Sequence, residues 1–229
     1  MKYDTGINNT VETNENIDWN KLQVSIAGNN NSVIIKTNNI ESCELDVKGD
    51  NHEIIICENS IIKNLRVNVR SSDSIHTNCS SLKINENTII ENTQVFLQGD
   101  NTRVSIGKGT TILGCLFFAV ECDSNISIGE ECMLSWGIEI RTSDWHSIYD
   151  IETNERINMQ KSVYLHNRVW IGSYAVILKG VNIDSDSIVG THSIVTKSVP
   201  SNCIVAGNPA KIIRENVRWG REDYIHKNK

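Results

Sequence analysis

The stretch that decides the fold runs from Leu165 to Val199, LHNRVWIGSYAVILKGVNIDSDSIVGTHSIVTKSV. Within it an aliphatic residue recurs at every sixth position: Leu165, Ile171, Ile177, Ile183, Val189 and Val195. Four residues after each stands a small or branched one, at Val169, Ala175, Val181, Ser187, Ser193 and Val199. A short fixed period means stacked repeats, and a β-sandwich has no reason to hold a six-residue frame. The physical reading is a triangular coil. Each hexapeptide forms one flat side, and three sides carry the chain one strand spacing, about 4.8 Å, along the axis. The aliphatic residue fills a narrow core, the residue four later fits inward near a corner, and those between face solvent.

Upstream of this stretch the period loosens but persists. Gly28-Asn29-Asn30, Gly49-Asp50-Asn51 and Gly99-Asp100-Asn101 each separate two short alternating apolar runs, such as Val24/Ile26 and Val33/Ile35. These read as coils of roughly 20–23 residues with Gly/Asn corners, where positive φ is tolerated. The pattern lapses between Arg70 and Ser81, which reads as a protruding loop. Downstream, Pro200 and Pro209 are the only prolines and mark the end of the repeat. KIIRENVRWGREDYIHK, from Lys211, predicts a short amphipathic α-helix with Ile212, Ile213 and Val217 on one face. The expectation is a polar segment over 1–19, one parallel β-helix domain over 20–200 with a loop at 141–162, and a C-terminal turn and helix over 201–229.

Composition fits that reading and narrows the function. The 229 residues carry 39% hydrophobic and only 6% aromatic residues, with apolar content mostly Ile and Val, which suit pleated strands. A formal charge of -6 gives no electrostatic footprint for nucleic acid. No run approaches the roughly 20 apolar residues of a membrane helix, and the Asn-rich start is not a signal peptide. The seven cysteines form no CxxC pair and no zinc spacing, so neither a metal nor a disulfide framework is expected. The chain reads as a reduced, cytoplasmic protein.

Chemistry is expected where the repeat breaks, since loops thrown off a rigid scaffold commonly carry function. The break RTSDWHSIYDIETNERINMQKSVY contains His146, with Asp144 two residues before and Asp150 four after. Histidine suits general-base work at neutral pH; an exposed loop histidine, as expected of His52, His76 and His226, is the plainer alternative. Trp170 falls on the outward side of its coil, where a large ring needs a ligand or another subunit to cover it. Lys197, Lys211 and Arg214 place cations near the end of the repeat, where they either bind phosphate or form a solvated surface.

From about residue 104 to 219 the chain resembles the hexapeptide-repeat O-acetyltransferases, and among them the bacterial enzymes that acetylate capsule or lipopolysaccharide sugars, including the polysialic acid O-acetyltransferases. The matching blocks are SDWHSIYD, VWIGSYAVILKGVNI, VGTHSIVTKSVP and AGNPAKIIR, followed by a tryptophan. The resemblance implies a left-handed parallel β-helix solenoid, all-β, with a protruding catalytic loop, assembled as a homotrimer with active sites between subunits. It implies acetyl-CoA as acetyl donor and a sugar or glycan hydroxyl as acceptor. His146 matches the histidine that takes the acceptor proton, and Trp170 the tryptophan beside the thioester. Ser173, Thr191, Thr196 and Lys197 match positions along the cofactor arm, and Lys211 and Arg214 match basic positions near the CoA phosphates. Asp144 and Glu139 are candidates to orient His146. Galactoside-type relatives carry an oxyanion asparagine about thirty residues before the histidine; here Cys115 stands near that place and no asparagine follows until Asn125.

Competing readings are weaker on the residues. A covalent cysteine route lacks a cysteine near His146, with Cys122 and Cys132 read as core positions. A zinc hydratase on the same solenoid needs histidines closer in sequence than His146, His166 and His192. An N-acetyltransferase acting on an amino sugar and a non-catalytic trimeric scaffold remain as alternatives.

Overall fold

The computed structural model describes residues 2–70 and 77–222. Among them every regular element is a β-strand, in one sheet of 15 strands and one of eight. The pairing register gives the coil directly. Tyr164 lies beside Asn182, Trp170 beside Ile188 and Val176 beside Ile194, each 18 residues further on, so three hexapeptides make one turn. In the upstream coils Lys2 lies beside Val24 and Val104 beside Ile126, 22 residues on, because their corners are longer.

Each turn has three faces. The first is the eight-stranded sheet, ending in Asn125–Ile128, Val163–Leu165 and Asn182–Ile183. The second holds Met133–Leu134, Trp170–Ile171 and Ile188–Val189. The third holds Cys115–Val120, Ile138–Arg141, Val176–Ile177 and Ile194–Val195. In earlier coils the second and third faces share one long strand, as in Ile61–Val69 and Ile89–Gln98, which turns its corner at Asn64 and Asn92 with φ of +58° and +43°. That continuity merges two faces into the larger sheet.

The core follows the six-residue frame. Leu165, Ile171, Ile177, Ile183, Val189 and Val195 are all buried, as are Val169, Ala175, Val181, Ser187, Ser193 and Val199. Each turn thus stacks aliphatic on aliphatic, and stability is passed between neighbouring coils. Glycine is required where coils approach at a corner: a Cβ on Gly49 would lie 2.1 Å from the carbonyl oxygen of Thr77.

The structure departs from the sequence reading at four places. Lys2–Asp4 and Thr10–Thr13 already pair in parallel with Leu22–Ala27 and Ser32–Ile35, so strand pairing begins inside the segment expected to be only polar. Its outward residues are polar because a solenoid this thin exposes half of every strand. The C-terminal helix is absent among the described residues; Ala210–Arg214 instead forms a strand antiparallel to Ile204–Gly207. Cys122 is exposed at a corner rather than in the core. His52 is buried rather than exposed, whereas His76, His226 and most of the expected loop between Arg70 and Ser81 lie outside the described residues.

His52 belongs to a ladder of side-chain acceptors along one corner. The Oδ1 of Asn9 accepts from the backbone N–H of Asn31, and the Oδ1 of Asn31 accepts from that of His52. Nδ1 of His52 then accepts from the N–H of Ser80 at 3.0 Å, so the imidazole stands in for an asparagine. The ring must stay neutral at Nδ1 to do so. Burial lowers its pKa, against smaller backbone contributions that raise it. The unfolded chain therefore takes up the proton first, and the stabilisation present above the unfolded histidine pKa is lost as pH falls toward the lowered folded value. His52→Asn keeps the acceptor and removes the titration. Between about pH 7 and about pH 5, the melting temperature of the wild type should fall by more than that of His52→Asn. Parallel curves would show that His52 carries no such linkage.

Candidate active site

The break in the repeat is an ordered hairpin. It leaves the third face after Arg141 and returns to the first face at Val163. Tyr149 bridges Arg156, and the N–H of Ile157 donates to the carbonyl of Ile148. The Asp150 carboxylate closes the tip by accepting from the N–H groups of Glu152 and Thr153, which holds its pKa below the usual carboxylate range.

Two anchors fix the hairpin root. Arg156 grips Glu121 through both carboxylate oxygens at 2.6 and 2.7 Å, and the Ser143 hydroxyl donates to the same carboxylate. That arrangement keeps Glu121 ionised, with its pKa lowered chiefly by Arg156. The second anchor is Asn158, which is 8% exposed. Its Nδ2 donates to Asp144 Oδ2 at 2.9 Å and to the carbonyl of His146 at 2.8 Å, while its Oδ1 accepts from the N–H of Ile148 at 2.7 Å. The amide thus brackets His146 from both sides. Lys179, from the adjoining corner, donates to Asp144 at 2.5 Å and to the carbonyl of Asn158 at 2.8 Å. Its ammonium is the main reason the Asp144 pKa is lowered.

Asp144 is therefore a clamp on the loop backbone, and its carboxylate is spent on Lys179 and Asn158 rather than on the His146 ring. Glu139 is paired with Arg141 two residues along its strand. The His146 side chain is exposed and makes no hydrogen bond among the described residues. Beside it Trp145 adopts φ of +66° and lies edge-on to Phe118 at 5.9 Å, with Phe96 stacked below at 5.0 Å. Trp145 and Met159 border a pocket of about 460 Å³ that also includes Gln98, Val120 and Cys122.

Trp170 stands elsewhere. It opens a strand of the second face, outward in register with Met133 and Ile188, and is 36% exposed. Ser173 and Thr191 occupy one column at the corner between second and third faces, where Ser173 shares a 2.8 Å hydrogen bond with Ser135. Thr196 and Lys197 lie at the other end of the third face, one coil beyond Leu178 and Lys179 and so at the corner from which the hairpin springs. Lys211 and Arg214 are exposed on the terminal antiparallel strand. Cofactor-arm candidates thus fall on two corners, and the histidine hairpin is separated from Trp170 by the whole first face. Cys115 is buried, with a pKa well above the ordinary thiol value, and cannot serve as an oxyanion donor without opening the core. Cys132 is likewise buried, its thiol pushed up to about 11 by desolvation. Exposed Cys122 has no hydrogen-bonded base among the described residues to activate it. His166 is near Asp184 at 3.6 Å and His192 stacks on Tyr174 at 4.9 Å, so neither converges on His146. Asn158, Lys179 and the Glu121–Arg156 pair escape sequence reading because their roles depend on which residue faces which across the hairpin.

The hexapeptide solenoid and its ordered hairpin are those expected of a hexapeptide-repeat acetyltransferase. Comparisons with known proteins agree. The chain is 38% identical over 226 residues to the polysialic acid O-acetyltransferase of Neisseria meningitidis, covering 98% of this chain and 91% of that protein. It is 39% identical over 142 residues to a polysialic acid O-acetyltransferase of Escherichia coli O1:K1 / APEC, a match that spans 45% of that relative. Among solved structures, the polySia-specific acetyltransferase NeuO matches with a TM-score of 0.75 at 30% identity, over 98% of this chain and 90% of that one. No protein-family model matches. The chain belongs to the hexapeptide-repeat acetyltransferase family, within which it is similar to the polysialic acid O-acetyltransferases. Among the described residues no helix is long and apolar enough to cross a membrane.

Proposed function

We propose that this enzyme moves the acetyl group of acetyl-CoA to a sugar hydroxyl of a sialic acid polymer, in sites built between copies of a left-handed β-helix trimer. The observation that carries the proposal is the placement of His146. Its ring is solvent-facing and unpartnered within the described chain, on a hairpin held by Asn158, Lys179 and the Glu121–Arg156 pair. A rigidly mounted, free imidazole is suited to take a proton from a bound hydroxyl. In the reaction His146 removes that proton as the oxygen attacks the thioester carbonyl carbon. The tetrahedral adduct then collapses, the C–S bond breaks, and the proton passes from the imidazolium to the CoA thiolate. A donor to the developing oxyanion is supplied by backbone N–H or by a residue of another copy.

Within one chain His146 and Trp170 are on different sides of the solenoid, so a site that uses both needs two copies. The hairpin also exposes Ile148, Tyr149, Ile151 and Ile157, a concentration of apolar surface that a neighbouring subunit would cover. Of the cations around the hairpin, Arg141 and Arg156 are taken by Glu139 and Glu121. Among the described residues Lys161 forms no ion pair and is available to the carboxylates of an anionic polymer. Ser173, Thr191 and the exposed Lys211 and Arg214 fit along the donor's pantetheine arm and phosphates.

Subunit mixing tests the composite site. His146→Ala and Trp170→Ala homo-oligomers should each be nearly inactive, and co-refolded together they should regain activity at about a quarter of sites by random assortment. A monomeric protein, or mixtures as inactive as their parents, would overturn the shared site.

A further inference from the structure

We infer that Trp219 is a positioning residue for Trp170, held in place by a C-terminal strap that runs back along the corner between the first and second faces. This inference rests on Trp170 lining the donor site.

The strap begins where the terminal antiparallel strand ends. Val217 and Asn202 tie it down first: the N–H of Val217 donates to the Asn202 carbonyl at 3.0 Å, and Asn202 Nδ2 donates back to the Val217 carbonyl at 3.1 Å. Next, Trp219 and Arg168 exchange bonds. Trp219 Nε1 donates to the carbonyl of Arg168 at 2.6 Å, and Arg168 Nη2 donates to the carbonyl of Trp219 at 3.0 Å. Finally Arg221 reaches the carbonyls of Gly109, Glu131 and Cys132 and the hydroxyl of Thr111. The strap thus crosses coil after coil against the direction in which the solenoid was built.

Trp219 itself is 7% exposed, although nothing in the six-residue frame assigns it a place in the core. Its ring lies between the guanidinium groups of Arg168 and Arg221, at 5.4 and 5.9 Å, and the indole of Trp170, centroid to centroid at 6.2 Å and 51°. Arg168 is fixed in turn by Asp186 at 2.8 Å. Trp170 stands outward on a flat two-residue strand, with only the Met133 and Ile188 positions above and below it. Without Trp219 its side chain would be free to change rotamer on the open face. With it, the Trp170 ring has a fixed indole beside it while remaining 36% exposed.

Aromatic pairs of this kind are worth about 0.5–1.5 kcal/mol beyond area burial, or about two- to tenfold in an equilibrium constant. Removing the pair should therefore raise the KM for acetyl-CoA between about two- and tenfold, with the KM for the acceptor unchanged. Trp219→Ala and Trp219→Phe are compared by steady-state kinetics, and in the nearly inactive Trp170→Ala background by calorimetric titration with CoA. The expected result is that Trp219→Phe recovers most of the acetyl-CoA KM, and that Trp219→Ala adds nothing once Trp170 is gone. A Trp219→Ala enzyme that melts earlier but keeps its acetyl-CoA KM, or effects that simply add in the double variant, would assign Trp219 a structural role only. If Trp170→Ala alone left the affinity for CoA unaltered, the donor-site reading of Trp170 would fail instead, whatever Trp219 did.

Discussion

His146→Ala should lower the rate of acetyl transfer by about 10²–10⁴-fold while leaving CoA binding and the fold in place. The expectation follows from how the residue is mounted. The hairpin is held through the backbone of His146 and the side chains around it, not through the imidazole. Deleting the ring removes no hydrogen bond among the described residues and opens no cavity, so little stability is at stake. Thiol release from acetyl-CoA, measured with acceptor, reports the rate, and calorimetric titration with CoA reports binding. A variant within tenfold of the wild type would move the general base to another residue.

The second large effect is expected at Asn158, which touches no substrate in this account. Asn158→Leu keeps the volume but leaves the N–H of Ile148 and the carbonyl of His146 without partners at a nearly buried position. Unsatisfied buried groups cost about 1–3 kcal/mol each, and the loop that carries His146 would loosen. Displacement of a catalytic group by about 1 Å can cost on the order of 10²-fold in rate. Asn158→Leu should therefore lose both stability and kcat, with the KM for acetyl-CoA nearly constant, because Trp170, the residue proposed to stand beside the thioester, is on another face. Lys179→Met removes the ammonium that joins Asp144 to the Asn158 carbonyl and should reproduce the effect in weaker form. Thermal melts paired with kcat and KM check this; wild-type kcat in a destabilised Asn158→Leu protein would separate the clamp from catalysis.

The contrast between His146 and Asn158 shows what a sequence of this kind displays. The hexapeptide frame is legible because the core is one side chain wide, so each aliphatic position is forced. Where the frame stops, the histidine loop stands out by default. Asn158 is invisible at that level: its importance comes from facing His146 and Ile148 across a hairpin whose register only the folded chain sets. Asp144 was legible as a carboxylate beside the histidine, but its partner turns out to be Lys179, 35 residues away. His52 sits in a Gly-Asp-Asn-His corner that looks like any solvent turn, and only the acceptor ladder from Asn31 to Ser80 draws it inside.

The C-terminal segment failed for a different reason. Ile212, Ile213 and Val217 have helical spacing, yet a helix that short gains stability only by packing its apolar stripe against a partner surface. The unpaired edge of Ile204–Gly207 offers backbone hydrogen bonds instead, and Ala210–Arg214 takes them, leaving Ile212 and Ile213 exposed. Tertiary pairing overrode local periodicity. The same choice frees the residues beyond Arg214 to run back along the corner between the first and second faces as the strap that holds Trp219.

The most direct test of the whole account is to incubate the enzyme with acetyl-CoA and a sialic acid polymer and to follow acetyl groups on the product by mass spectrometry before and after mild base. Acetyl groups that appear on the polymer only with enzyme, and leave as base-labile esters, are the predicted result. No transfer to the polymer, or base-stable acetyl amides on an amino sugar tested in parallel, would contradict it.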